Sequence, residues 1–184
     1  MGKFLFYTGG ILLFIFGLLF LDKLILGWME AIEVPQIVTL MKVISFIGKG
    51  YSLFIITTLL YFLAKKRRAL YTNAGIFAIV TVIVYLLKLI VNRGRPDSIL
   101  ITETDASFPS GHATYMFGAL PLLDLEFVRD SWIFVTFAVL DLFSRLYLRA
   151  HYFSDVVFGI LLGYTIALVA MHIERTIITT KIQM

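Results

Sequence analysis

The sequence predicts an all-α polytopic membrane protein, a bundle of six transmembrane helices, on three observations. Of its 184 residues 60% are hydrophobic and only 15% are charged. Mean hydropathy is +0.93. A soluble domain carries about 45–50% apolar and about 25% charged residues, so the chain departs from it in the membrane direction on both counts. Apolar stretches also recur along the chain with short polar segments between them. Each crossing needs about 20 mostly apolar residues, so six of them leave room for a single membrane domain over 1–184 and no soluble one.

The first span is expected at about 4–21, just after Lys3. No small-x-small cleavage site follows it, and Asp22-Lys23 gives way at once to more apolar sequence, which points to an uncleaved membrane helix rather than a signal peptide. Residues 24–47 mix Trp28, Ile37 and Leu40 with Glu30, Glu33 and Lys42. That mixture predicts a short helical region lying in the interface plane. Gly48-Lys49-Gly50 then reads as a break before the second span, about 48–64.

The third span is expected at about 72–91 and the fourth at about 112–128. The fourth holds Pro121, with Asp124 and Glu126 near its end, so it is short or tilted; proline is tolerated where neighbouring helices satisfy the backbone. The fifth and sixth fall at about 131–148 and 156–173. Lys65, Lys66, Arg67 and Arg68 between spans two and three mark a cytoplasmic loop. An even number of crossings then puts both termini, with Lys3 and Lys181, on the cytoplasmic side of the cell's inner membrane.

Cysteine is absent, which excludes disulfides, thiolate metal sites and cysteine nucleophiles. Most basic residues lie beside apolar spans rather than on a soluble face, which argues against nucleic acid as a partner. The partners expected are the bilayer and a membrane lipid, with no obligate protein partner evident.

Three polar clusters carry the chemistry. Lys88 to Arg95-Pro96 ends the third span, Pro109-Ser110-Gly111-His112 opens the fourth, and Ser144-Arg145 to His151 and Asp155 joins the last two. In this topology all three reach the non-cytoplasmic face, and polar groups gathered in a membrane are costly enough to imply function. Lys88, Arg95 and Arg145 around one point repel a metal cation and attract a phosphate, whose oxygens match arginine forks. The helix opening at Ser110-Gly111 adds free amide groups to the anion site.

His151 and Asp155 are four positions apart, a spacing that lets the carboxylate accept from one ring nitrogen and leaves the other free to attack. His112 is then available to protonate the leaving oxygen. No metal and no cofactor is called for. Asp141, four residues before Arg145, is expected to orient that guanidinium from one helix turn away. Arg93 and Arg149 flank the clusters, either as interfacial anchors or as contacts to a second phosphate or an anionic headgroup.

These clusters resemble, at every specified position, the type 2 phosphatidic acid phosphatase superfamily, whose pattern is K-x6-RP, PSGH and SR-x5-H-x3-D. The motifs cover 88–155, and the six-span layout extends the similarity over most of the chain. The resemblance implies a metal-independent phosphatase in which His151 forms a phosphohistidine, Asp155 orients it and His112 is the acid. Lys88, Arg95, Ser110, Gly111 and Arg145 would hold the phosphoryl group. Substrates implied for bacterial membrane members are phosphatidylglycerophosphate, lipid A 1-phosphate, undecaprenyl pyrophosphate and phosphatidic acid. Two other readings stay open at this point: a lipid phosphotransferase, and a non-catalytic lipid-phosphate binding or transport protein.

Overall fold

The computed structural model describes the backbone of residues 2–183 and the side chains of 4–176, so Lys3 and Lys181 lie outside the described side chains. Among the described residues there are helices and no strands. Helix α1 (Gly2–Phe16) runs through a π-helical turn (Gly17–Leu21) into α2 (Asp22–Ala31). Helices α3 (Pro35–Ile47), α4 (Gly50–Leu63) and α5 (Arg67–Val91) follow, then α6 (Gly111–Glu126), α7 (Ser131–Tyr147) and α8 (Phe153–Gln183).

Among the described residues, three stretches are long and apolar enough to cross a bilayer: Phe4–Ala31, Arg67–Val91 and Phe153–Thr176. A fourth is reached if α3 and α4, bent by 55° at their junction, count as one broken span. The chain is therefore a multi-pass membrane protein. Helices α6 and α7, with 16 and 17 residues, reach only about 25 Å at 1.5 Å per residue, short of a hydrocarbon core of about 30 Å. Phe4, Leu19, Tyr71 and Ile90 are more than 60% exposed, a surface suited to lipid and unsuited to water.

The first helix does not stop at Leu21 as expected. Asp22 was the apparent break, but it is 5% exposed and bonded to Arg93 and Ser154 inside the bundle, so the helix continues to Ala31. The region expected in the interface plane is thus divided between α2 and α3. The third span ends at Val91 as expected, because Asn92 takes a left-handed backbone (φ 44°) that asparagine tolerates.

Helix α6 is the centre of the bundle, with His112, Ala113, Thr114, Met116, Ala119, Leu122 and Leu123 all buried. It packs most closely on α8, at Gly159 and Gly163. A Cβ at Gly163 would run into the Thr114 carbonyl oxygen, and one at Gly159 would come within 2.8 Å of the Ser110 carbonyl oxygen. Small residues four apart let two helix backbones approach this closely in a membrane. That contact sets the start of α8, and with it His151 and Asp155, against the start of α6.

At the other end, Lys66 Nζ lies 2.7 Å from Glu126 Oε2, and Arg68 pairs with Glu174. The basic cluster therefore gathers where α5 begins and α6 ends. The motif residues sit at the opposite end, where α5 and α7 finish and α6 and α8 begin.

Candidate active site

One cavity of about 340 Å³ collects Lys88, Arg95, Gly111, His112, Arg145 and His151 from the three clusters. Ser110 does not line it. Ser110 is fully buried as the N-cap of α6, where its hydroxyl accepts from the Ala113 amide at 3.5 Å. Its neighbour Gly111 supplies the cavity wall.

His151 is 3% exposed, and its Nδ1 lies 2.8 Å from the Ser107 carbonyl oxygen. A carbonyl only accepts, so this bond puts the proton on Nδ1 and the lone pair on Nε2. The carboxylate of Asp155 stands 3.8 Å from Nδ1, too far for a hydrogen bond. The expectation that Asp155 holds the ring directly is therefore corrected: the Ser107 carbonyl does. Asp155 is committed elsewhere. Its Oδ2 accepts from the Tyr152 amide at 3.0 Å, half of a capping box on α8, and its Oδ1 from Arg93 at 2.6 Å.

Burial first, and then the charges of Arg145, Arg95 and Lys88, hold the His151 imidazole well below its ordinary pKa. The ring is thus neutral, the form a nucleophile needs. His112 Nε2 donates to the Ser45 carbonyl at 3.0 Å, leaving its Nδ1 free.

The cations of the cage are not free. Arg145 Nη2 lies 2.8 Å from Glu103 Oε1, and its Nη1 donates to the Ser45 hydroxyl at 2.6 Å. Arg95 bonds the Ala150 carbonyl at 2.6 Å and the carboxylate of Asp105. Lys88 Nζ is 3.0 Å from Asp105 Oδ2 and also bonds the Ala106 carbonyl. Glu103 and Asp105 therefore sit among the cations where phosphate oxygens would sit.

Asp141 does not hold Arg145 as expected. Both of its carboxylate oxygens are buried without a hydrogen-bond partner, and so is Arg145 Nε. The carboxylate lies flush against Gly48, which has no room for a Cβ. Ser45 and Glu103 have taken the guanidinium instead. Neither Arg93 nor Arg149 lines the cavity, and both are paired with carboxylates. Arg93 bridges Asp22 and Asp155, while Arg149, 4% exposed, bonds the Ser98 carbonyl and Glu33 at 2.7 Å each.

Sequence reasoning missed Glu103, Asp105, Ser45 and Lys49, the last also on the cavity wall. Asp22 alone carried a readable signal, as a charge within a long apolar run. Glu103 and Asp105 looked like ordinary loop acids.

A membrane-embedded helical bundle with a cationic pocket around a neutral, buried imidazole defines an integral-membrane phosphatase. The profile of the PAP2 superfamily matches residues 69–178, and the chain belongs to that superfamily. An undecaprenyl-diphosphatase of Sulfolobus acidocaldarius is 33% identical over 159 residues, 80% of this chain and 77% of that protein. A decaprenylphosphoryl-5-phosphoribose phosphatase of Mycobacterium tuberculosis is 34% identical over 109 residues, 55% of this chain and 59% of its own. The fold is shared with a transmembrane PAP2-type phosphatidylglycerolphosphate phosphatase from Bacillus subtilis, at a TM-score of 0.75 and 24% identity, covering 92% of this chain and 96% of that one. It is shared also with Aquifex aeolicus LpxE, at a TM-score of 0.74 and 23% identity, covering 83% and 95% respectively.

Proposed function

We propose that the chain hydrolyses a membrane-lipid phosphate, with a polyprenyl diphosphate the favoured substrate, through a phosphohistidine on His151. The observation that carries this reading is the single cavity joining Lys88, Arg95 and Arg145 to His151. The His151 lone pair attacks phosphorus, and the bond from phosphorus to the leaving oxygen breaks. His112 enters this step protonated on both ring nitrogens, keeps its Nε2 proton on the Ser45 carbonyl and delivers its Nδ1 proton to that oxygen. Water then attacks the phosphohistidine, the electron pair of the P–N bond returns to Nε2, and His112 takes the water proton. Lys88, Arg95, Arg145 and the Gly111 amide stabilise charge spread over the equatorial oxygens.

Two features support a lipid diphosphate. An apolar groove of about 550 Å³, lined by Phe54, Phe77 and Ala78, shares Gly50, Tyr51, Thr81 and Tyr115 with the cavity and offers a path for a lipid chain. Lys49 adds a further cation to the wall beyond the motif residues. The similarity to a protein named undecaprenyl-diphosphatase points the same way.

In this reading α6 and α7 also cross the bilayer, as short helices shielded by their neighbours, giving six spans in one domain. The Lys65–Arg68 end is cytoplasmic with both termini, and the site opens on the outer face of the cytoplasmic membrane. The test is phosphate release from polyprenyl diphosphate, polyprenyl monophosphate, phosphatidylglycerophosphate and phosphatidic acid in EDTA, with His151→Ala beside the wild type. Fastest turnover of the diphosphate, lost in the variant, is expected. Turnover that survives His151→Ala, or none by the wild type, removes the reading.

A further inference from the structure

We infer that Asp22 and Arg93 are positioning residues for Asp155 and, through it, for the imidazole of His151; this rests on the phosphatase reading above. Asp22 belongs to the N-terminal helix, outside the segment that matches the superfamily profile. Its carboxylate is buried and accepts from Arg93 Nη2 at 2.7 Å, from the Ser154 amide at 2.8 Å and from the Ser154 hydroxyl at 2.7 Å. Arg93 turns its other terminal nitrogen to Asp155 Oδ1 at 2.6 Å and to the Ser154 hydroxyl at 2.8 Å. The Tyr152 ring, 4.0 Å from the guanidinium carbon, supports the plane of that fork.

One guanidinium thus divides between two carboxylates 133 positions apart in the chain (22 and 155), and both ends of the fork are fixed. The consequence reaches the nucleophile. Asp155 Oδ2 is 3.8 Å from His151 Nδ1, a small side-chain rotation from hydrogen-bond distance. Arg93 on Oδ1 and the Tyr152 amide on Oδ2 together hold Asp155 back, so Nδ1 stays on the Ser107 carbonyl and the ring keeps its angle. With Asp22 neutral, the fork loses one of its two anchors, Asp155 is held less firmly, and the carboxylate can draw the ring away from Ser107. A ring misplaced by a fraction of an ångström attacks more slowly, while the cationic cage that binds phosphate is untouched.

The experiment compares wild type, Asp22→Asn, Arg93→Gln, Arg93→Lys, the Asp22→Asn/Arg93→Gln double variant and His151→Ala in detergent, each with its thermal midpoint. Asp22→Asn is expected to lower kcat about tenfold and Arg93→Gln about thirtyfold, with KM changed by less than about twofold. The double variant is expected to lose clearly less than the product of the two single losses, because Asp22 reaches Asp155 through the shared Arg93 as well as through its bonds to Ser154. Arg93→Lys, which keeps the charge, is expected to recover part of the loss. Additive losses, or wild-type kcat in Asp22→Asn, would overturn the inference. If Asp22→Asn does not fold, equal kcat for Arg93→Lys and Arg93→Gln at matched thermal midpoints overturns it. Activity that persists in His151→Ala overturns the phosphatase reading instead, so the two failures are distinguishable.

Discussion

The carboxylate of Asp105 stands 3.0 Å from the ammonium of Lys88, inside the cage that a phosphoryl group has to enter. On the proposed function, substrate displaces this internal anion when it binds. Burial alone would raise the Asp105 carboxyl, but hydrogen bonds from Arg95 and Lys88 prevail and hold it below the ordinary value. The carboxylate therefore keeps its charge throughout the physiological range, and the competition is constant there. Asp105→Asn is expected to lower KM for the lipid phosphate about three- to tenfold with little change in kcat. The KM ratio of variant to wild type should be flat from about pH 5 to 8, which steady-state kinetics at several pH values checks.

Lys88, Arg95 and Arg145 each face a carboxylate of the 103–105 segment, whereas Lys49 pairs with none among the described residues. Its ammonium lies 5.4 Å from the Phe46 ring and borders the cavity. That leaves Lys49 free to meet the phosphate of a diphosphate that is not attacked. Lys49→Ala is expected to raise KM about tenfold for a polyprenyl diphosphate and less than about twofold for the monophosphate. Equal effects on both substrates would remove Lys49 from substrate choice.

With His151 as the proposed nucleophile, its depressed basicity is expected to set the acid side of the pH profile. Its protonated form is opposed by burial and by three cations, so the ring stays neutral to below its ordinary pKa of about 6.5. The acid limb of kcat/KM, which reports the free enzyme, should lie below that value. Lys88→Met removes one cation and so raises the imidazole pKa. The variant should lose about 10²- to 10³-fold in kcat, with its residual activity falling off at higher pH than the wild type's.

Arg149 separates what the sequence could and could not disclose. Its neighbours in the chain, Arg145 and His151, could be picked out because the spacing of a motif is local information, and the helices on either side of His151 were legible as apolar stretches; both residues line the cavity. The partner of Arg149 is Glu33, on the far side of the chain, and no local pattern announces that pair. Asp141 failed for the complementary reason. The rule that favours acid then base at four-residue spacing is local, and Arg145 was drawn off by Ser45 and Glu103. Gly159 and Gly163 were legible in principle, as small residues four apart in an apolar helix, but the helix they meet was not.

Arg149 is accordingly predicted to matter for stability and not for substrate choice. It holds a left-handed backbone (φ 53°), and its guanidinium ties Glu33 and the Ser98 carbonyl together. Hydrogen bonds to charged groups contribute about 1.5–3 kcal/mol, and the low end applies because Glu33 is 38% exposed. Arg149→Ala should lower the thermal midpoint in detergent by several degrees. Its preference between mono- and diphosphate lipids should equal the wild type's in the same lipid panel.

The last prediction concerns the contact that brings the two histidines to one cavity. Helices α6 and α8 meet where Gly163 faces the Thr114 carbonyl, with Gly118 N only 2.9 Å from the position a Cβ would take. Both neighbours are backbone, so neither can rotate away, and Gly163→Ala must push the helices apart. Overpacking of this kind costs about 1–3 kcal/mol. Gly159, one turn closer to the site, touches the Ser110 carbonyl, so a shift of α8 also moves His151 relative to His112. Gly163→Ala should therefore reduce kcat and the thermal midpoint together, whereas Gly75→Ala, with nothing within 4 Å of its Cβ position, should change neither. Wild-type kcat in Gly163→Ala would mean that the spacing of α6 and α8 does not govern the geometry of attack.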